Sequence, residues 1–404
     1  MITINDIQSF LNEHNYDLRI SKNSRWLDQK VTYDVSSIIA DCVLNYVDTN
    51  GDSEFNCPDI WHSTYTANNI LAIFNKPNVN EAKTKNEYDK FFSQPLLFLA
   101  SANVLTLTKR NKRNFYTVNN RDILEFISSR EYNAFIFMTM YIEKVMTDSG
   151  LWPLFDSFFS KQNKESFNIL KISFGDFLRK NTPINGDLEP NRIFSKVINP
   201  LAVSRRKLGT KRGHISQSII SLSDLQYNQP NFRDLHTKKP KDMSRKDWAY
   251  QLNQTINSSR TSYQVSKTKK FLHRFNDEYR DSQSELQDAW KHGTATQMHH
   301  IFPAADFPEI SDTLENLIAI TPTQHLTKAH PNNNTQIIDK LYQKEILLCK
   351  LANIRDNLSN KHIPQIYNFQ QFVTVIATGF DMDLKIDDND YLTLENIIKE
   401  HYTI

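Results

Sequence analysis

The sequence predicts an α+β protein dominated by helices, with one β-hairpin in its N-terminal third and a strand, loop, strand and helix unit near its C-terminal end. Three observations carry this prediction. Apolar residues recur at helical spacing through Tyr88–Ala102, where Pro95 should interrupt them, and again through Glu131–Leu178. Two β-favouring runs, Val104–Thr108 and Phe115–Val118, flank a short polar segment. Farther along, Met298–Phe302 and Leu317–Ile320 read as strands, followed by a segment that Thr321 or Thr323 can cap as a helix ending at Pro331.

Composition bounds the possibilities. The chain has 404 residues, 39% hydrophobic, 23% charged and 11% aromatic. This is enough for two or three cores at roughly 100–200 residues each, and the aromatic content excludes a disordered chain. The longest uncharged apolar stretches, near Pro95–Leu105 and Asn133–Ile142, fall short of the ~20 residues that cross a bilayer, so no membrane span is expected. The N-terminal segment has early acidic residues and no apolar stretch after a basic one, so it does not read as a signal peptide. Cys42, Cys57 and Cys349 are scattered, form no C-x-x-C pair and fit buried thiols of a reducing, cytoplasmic protein. The 8 glycines are isolated, and neither G-x-G-x-x-G nor G-x-x-x-x-G-K-[ST] occurs. Most nucleotide-dependent classes lose their support, because phosphate-cradling loops need closely spaced glycines.

The formal charge of +2 averages unlike regions. Residues 201–280 hold 17 Lys and Arg against 6 Asp and Glu, a net +11, while the other residues hold 31 against 40, a net −9. Such asymmetry marks a polyanion-facing segment more clearly than the total does. Three regions are therefore expected: 1–160, mostly helical with the hairpin; 161–285, basic; and 286–404, carrying the C-terminal unit.

In the first region, the hairpin tip Lys109-Arg110-Asn111-Lys112-Arg113 is basic, and Asn119 or Asn120 can cap a helix through Asp122–Ile127. Helix, basic-tipped hairpin, helix resembles a winged helix, whose wing meets a nucleic-acid backbone. The pattern equally suits an ordinary hairpin with a solvated tip. Beyond Asn181 the periodicity breaks. Arg205-Arg206-Lys207 and Lys211-Arg212 flank Gly209, and Lys238-Lys239-Pro240-Lys241 follows. Several basic clusters in one irregular segment suit contacts to the phosphates of double-stranded DNA.

The C-terminal unit carries the chemistry. Gln297-Met298-His299-His300-Ile301-Phe302-Pro303 leads into an acidic loop, then Leu314-Glu315-Asn316-Leu317, then Thr323-Gln324-His325. Neighbours on a strand face opposite ways, so His299 and His300 cannot share a task. One can meet His325 on the packed helix and share a divalent metal, leaving the other beside the metal as a neutral imidazole able to take a proton from water. Asn316 can fix the loop that holds them. His330 lies five residues beyond His325, about 140° round an α-helix, and is expected at the surface or as a cap. His292 and His362 fit no part of the pattern and are expected to be structural.

This constellation resembles the HNH, or ββα-metal, nuclease motif. The resemblance places His299 and His325 as metal ligands, His300 as general base and Asn316 as the middle Asn. The paired Cys-x-x-Cys zinc staples of many HNH domains are missing, so packing must hold the fold. With Phe91–Leu105 and the basic middle, the chain also resembles bacterial type II restriction endonucleases that carry a C-terminal HNH domain. That resemblance implies cleavage of double-stranded DNA with Mg²⁺, Mn²⁺ or another transition metal. It also implies a cognate DNA methyltransferase, and a homodimer as one way to cut both strands. A nonspecific or homing-type nuclease and a winged-helix regulator with an inactive nuclease domain are the alternatives.

Overall fold

The structure, a computed structural model, describes all residues except 52–53, 75–84, 228–239, 241, 244, 332–337 and 404. Contacts gather the chain into two compact units, essentially 4–257 and 258–404, where the sequence suggested three regions. Among the described residues, no helix is long and apolar enough to cross a membrane.

The 4–257 unit opens with α1 (Ile4–Asn12), α2 (Leu18–Ser21) and α3 (Tyr33–Asn50), the last buried along most of its length. Strand β1 (Phe55–Asn56) runs into α4 (Cys57–Trp61), which Asn56 and Asp59 close with reciprocal side-chain caps. Next come α5 (Thr64–Phe74) and α6 (Lys85–Ser101). Pro95 lies inside α6 without ending it. Its ring forfeits one helical hydrogen bond, and the surrounding burial of Phe91, Phe92, Leu96, Phe98 and Leu99 holds the helix together.

The hairpin is longer and tighter than the β-favouring runs suggested. β2 (Leu105–Arg110) pairs antiparallel with β3 (Arg113–Val118), and β3 also pairs with β1, giving the order β1-β3-β2. Only Asn111 and Lys112 form the turn, both left-handed with φ of 49° and 63°, the conformation whose twist matches a two-residue hairpin. Of the two candidate caps, Asn119 and Asn120, the one that acts is Asn120, whose Oδ1 accepts from the Ile123 amide at 3.0 Å to start α7 (Arg121–Ser129). Helices α8 (Glu131–Asp148), α9 (Trp152–Lys161) and α10 (Lys164–Asn181) follow. The expected break after Asn181 is confined to a short link, because α11 spans Leu188–Arg205 with Pro200 inside it. Beyond it lies a small hairpin of β4 (Thr210–Lys211) and β5 (His214–Ile215).

The boundary between the units falls within the 35-residue α12 (Arg245–Tyr279). In the 258–404 unit, α12 buries Phe271, Leu272 and Phe275 in a core shared with β7 (Leu317–Ile320), every residue of which is buried. β7 pairs antiparallel with β6 (Gln297–His300), setting His299 opposite Ile318 and His300 opposite Leu317. A π-helical turn over Gln324–Ala329 follows β7. The helical tail, α13 (Lys340–Ser359), α14 (Phe369–Gly379) and α15 (Tyr391–His401), contributes Ile346, Leu347, Phe372, Ile376, Leu394 and Ile398 to the same core.

A buried ion cluster ties these layers together. Glu285 is fully buried; Lys350 of α13 and Arg280 each lie 3.3 Å from its Oε2. Its Oε1 accepts from the Ala319 amide of β7 at 2.9 Å, and the Tyr367 hydroxyl donates to Oε2 at 3.2 Å. Burial pushes the Glu285 pKa up, but Arg280 and Lys350 outweigh it and leave the carboxyl below its ordinary value.

Candidate metal centre

Strand alternation divides the His pair. His299 is 7% exposed and meets His325 and His330, the three rings standing 5.0–5.1 Å apart between centroids. One nitrogen from each ring lies within 4.8 Å of the others, which suits ligation of one cation. His325 Nδ1 is buried with no hydrogen-bond partner. Such an orphaned imidazole nitrogen fits a ligand role, since an unpaired buried polar atom is otherwise costly.

His330 corrects the expectation of a surface or capping position: it is 7% exposed and belongs to the cluster. The expectation assumed α-helical winding. Instead the His330 amide donates to the His325 carbonyl at 3.1 Å, an i to i+5 bond. This wider π turn returns the fifth residue to the face of the first. The turn is anchored at its start. The Thr321 hydroxyl accepts from the Gln324 amide at 3.2 Å, and buried Gln324 accepts from Ser284 and donates to the carbonyl of Leu286. Gln324 was not singled out in the sequence, because glutamine beside a histidine has no spacing signature.

On the opposite face, His300 is half-buried and its Nε2 lies 2.9 Å from the Ser311 carbonyl. A carbonyl only accepts, so Nε2 carries the proton and Nδ1 keeps its lone pair. Asn316, fully buried, clamps the intervening loop: Oδ1 accepts from the Phe302 amide at 2.9 Å, and Nδ2 donates to the Phe302 carbonyl at 3.0 Å and the Ile310 carbonyl at 3.3 Å. Phe302 in turn packs against Gly379 of α14, where an added Cβ would fall 2.2 Å from the ring.

Electrostatics favour neutral imidazoles. Burial, reinforced by His325, His330, His300 and Lys269, holds His299 well below the ordinary histidine range. Burial and then Lys269 bring His300 down to about 4, against the opposing Ser311 bond. Burial, His330 and Lys269 lower His325. Lys269 recurs because α12 sets it near the site. It lines a groove of about 630 Å³ with Lys270 and Arg274 of α12 and Gln297 and Met298 of β6. It forms no ion pair among the described residues, and burial lowers its pKa. The sequence offered a clue here: apolar Phe271, Leu272 and Phe275 fix which face of α12 is buried, and Lys269 flanks that face.

The expected DNA-contacting residues lie in the other unit. Lys109, Arg110, Lys112 and Arg113 are exposed on the β2–β3 hairpin. Arg110 is ion-paired with Glu54 and lies 4.6 Å over the Phe115 ring. Arg205 departs from the expected exposed cluster: it pairs with Glu143 and packs over the rings of Trp152 and Phe159 at 4.9 and 5.5 Å. As the last residue of α11 it is turned onto the helical core. Arg206 is exposed and Lys207 half-buried, while Lys211 and Arg212 are exposed at the β4–β5 turn. Lys238, Lys239 and Lys241 lie outside the described residues. His292 and His362, expected to be structural, are exposed. No protein-family model, curated protein or solved structure matches the chain.

Proposed function

We propose that residues 258–404 form a metal-dependent phosphodiesterase domain of the HNH type, and that the chain is a type II restriction endonuclease acting on double-stranded DNA. The observation that carries the reading is the cluster of His299, His325 and His330, with a fourth imidazole, His300, fixed on the opposite strand face. His299, His325 and His330 would hold one divalent cation. When bound, it supplies charge stabilisation at the scissile phosphate and the departing 3′-oxygen, and an all-imidazole set suits Mn²⁺, Co²⁺, Ni²⁺ or Zn²⁺ better than Mg²⁺.

The chain's own residues supply the rest. His300, neutral at physiological pH, presents the Nδ1 lone pair to a water in line with the phosphorus–oxygen bond. As the water oxygen attacks, its proton passes to Nδ1, the phosphorus–3′-oxygen bond breaks, and the departing 3′-oxygen takes a proton from solvent, leaving 5′-phosphate and 3′-hydroxyl ends. A base of pKa about 4 is weak; burial is the main cause and Lys269 the second, and a substrate phosphate beside Lys269 would offset only that second contribution. Ser311 and Asn316 keep the ring aimed, because the loop between the strands is tied at both ends.

The 4–257 unit supports a DNA-reading role. Its order of helix, β1, helices and the β2–β3 hairpin, with β3 central, suits a winged helix. The hairpin and the β4–β5 turn project exposed Lys and Arg. As a restriction enzyme it would act with a methyltransferase that protects host DNA. Digestion of long unmodified DNA with Mg²⁺ or Mn²⁺ tests the reading. Discrete bands are expected, a smear would mean nonspecific cutting, and intact DNA would favour a regulator. His300→Ala should abolish cutting while DNA binding persists; full activity in that variant would overturn the assignment.

A further inference from the structure

The 4–257 unit contains a cavity of about 690 Å³ that the nuclease reading does not use. Its polar wall comes from three elements: Lys171 of α10, Arg192 and Lys196 of α11, and Arg212 of the β4–β5 turn. None of these four cations forms an ion pair among the described residues. The two carboxylates on the lining are committed nearby. Asp28 accepts from the Gln29 amide at 2.6 Å and lies 3.9 Å from Arg25, and Asp224 accepts from the Ser221 amide and hydroxyl at 3.0 and 2.8 Å.

Lys196 is the telling residue. Its ammonium makes one long contact, 3.4 Å to the Val31 carbonyl, and burial pulls its pKa down to about 8, against the opposing pull of Asp34. The Thr32 hydroxyl, on the lining of the same cavity, is buried with no partner. A half-buried cation with one long contact and an unpaired buried hydroxyl lining the same cavity are unfavourable by themselves, and an anionic ligand would relieve both. Lys171 donates to the Gly213 carbonyl at 2.7 Å and so fixes the turn that carries Arg212. Val31, Met138 and Pro200 give the lining apolar surface, and the side chains of Gln29, Asn191 and Gln226 add amides to it. The volume lies within the ~300–1,000 Å³ of small-molecule sites.

We propose that this cavity binds a nucleotide, its phosphate held by Arg192, Lys196 and Arg212 and its base laid on the apolar wall with the amides at its hydrogen-bonding edge. Two sources share this chemistry: a free mononucleotide, and a nucleotide turned out of a DNA strand. The site needs neither the histidine cluster nor a metal, so it can be tested apart from the nuclease reading.

Isothermal titration of the full chain in EDTA, with the four deoxynucleoside monophosphates, their nucleosides and inorganic phosphate, decides the free source. A parallel titration uses a duplex with one mismatched base pair and its fully paired counterpart. A monophosphate binding tighter than both phosphate and nucleoside, and weakened about tenfold or more in Arg192→Ala and Lys196→Met, assigns a free nucleotide. Selective binding of the mismatched duplex, with the selectivity lost in the same variants, assigns a strand nucleotide. The proposal is overturned if no monophosphate exceeds phosphate and no mismatch selectivity is seen, or if such binding survives both substitutions. Should Lys196→Met fail to fold by circular dichroism, Arg192→Ala and Arg212→Ala, both at exposed positions, decide the result.

Discussion

At the scale of single residues, the candidate site depends on which nitrogens have partners. His325 Nδ1 has none and is buried, while His300 Nε2 is committed to Ser311; this difference is the ground on which the proposed function assigns the one as ligand and the other as base. His330 makes the cluster a three-imidazole set. His330→Ala is therefore expected to weaken Mn²⁺ or Zn²⁺ binding by about tenfold or more, as even outer-shell partners are worth ~10–100-fold. Titration that found unchanged affinity would remove His330 from the ligand set. Arginine gives a second contrast. Arg205 is held by Glu143 and two aromatic rings, so Arg205→Ala should lower the melting temperature and leave the salt dependence of DNA binding unchanged. Lys211→Ala should instead reduce the salt slope by about one, as expected for one lost phosphate contact. Equal slopes in both variants would show that the β4–β5 turn does not meet phosphate.

At the scale of elements, two local geometries build the centre. The π turn brings His330 over His325, where α-helical winding would carry it to another face. The close approach of α14 to the loop after β6 is the other. At Gly379 a methyl group would collide with the Phe302 ring, whose backbone is held by Asn316. Gly379→Ala should destabilise the 258–404 unit by about 1–3 kcal/mol through overpacking and shift the His300 loop, lowering the cleavage rate more than DNA affinity. Calorimetry with single-turnover rates would check it, and a variant with wild-type rate and stability would show that this contact does not position the loop. Much of this level was legible beforehand. The two strands, the His pair on opposite faces and a cap at Asn119 or Asn120 follow from period-2 alternation and capping chemistry, which are local, while Asn316 as loop clamp was read from its place in the histidine constellation. The π turn was not legible, because winding depends on what packs around it. The path of α11 was missed because Pro, Asn, Ser and Lys outweighed its buried Ile193, Phe194, Val197 and Leu201.

At the scale of the whole molecule, the 258–404 unit rests on packing and on one buried charge cluster, where a zinc-stapled domain would use Cys₄ metal. Glu285 binds β7 through Ala319 and α13 through Lys350. Glu285→Gln would leave Lys350 and Arg280 buried without their counter-charge and should cost about 3–5 kcal/mol. The linkage has a definite sign. The folded-state pKa of Glu285 lies below its ordinary value of 4.5, so its stabilisation is complete above that pH and is lost as pH falls through the lowered folded-state value. The Gln variant should therefore lose less stability than wild type between neutral and acid pH, in denaturant titrations followed by a probe in this unit. A parallel loss in both proteins would place the acid sensitivity elsewhere.

The sequence by itself determined the mostly helical α+β class, the separation of a basic middle from an acidic remainder, the order of strand, loop, strand and helix, and the identities His299, His300, Asn316 and His325. Class and element order are set by periodicity, capping and alternation, which act over a few residues; the four site residues stood out through their resemblance to the HNH motif. Only the tertiary structure decided that His330 completes the imidazole cluster, that Arg205 is spent on an ion pair, that Lys269 stands near the histidines, and that a cation-lined cavity lies against α11. Each of these depends on groups brought together from distant parts of the chain, or on a helix wound to suit its surroundings, and neither is encoded in local spacing.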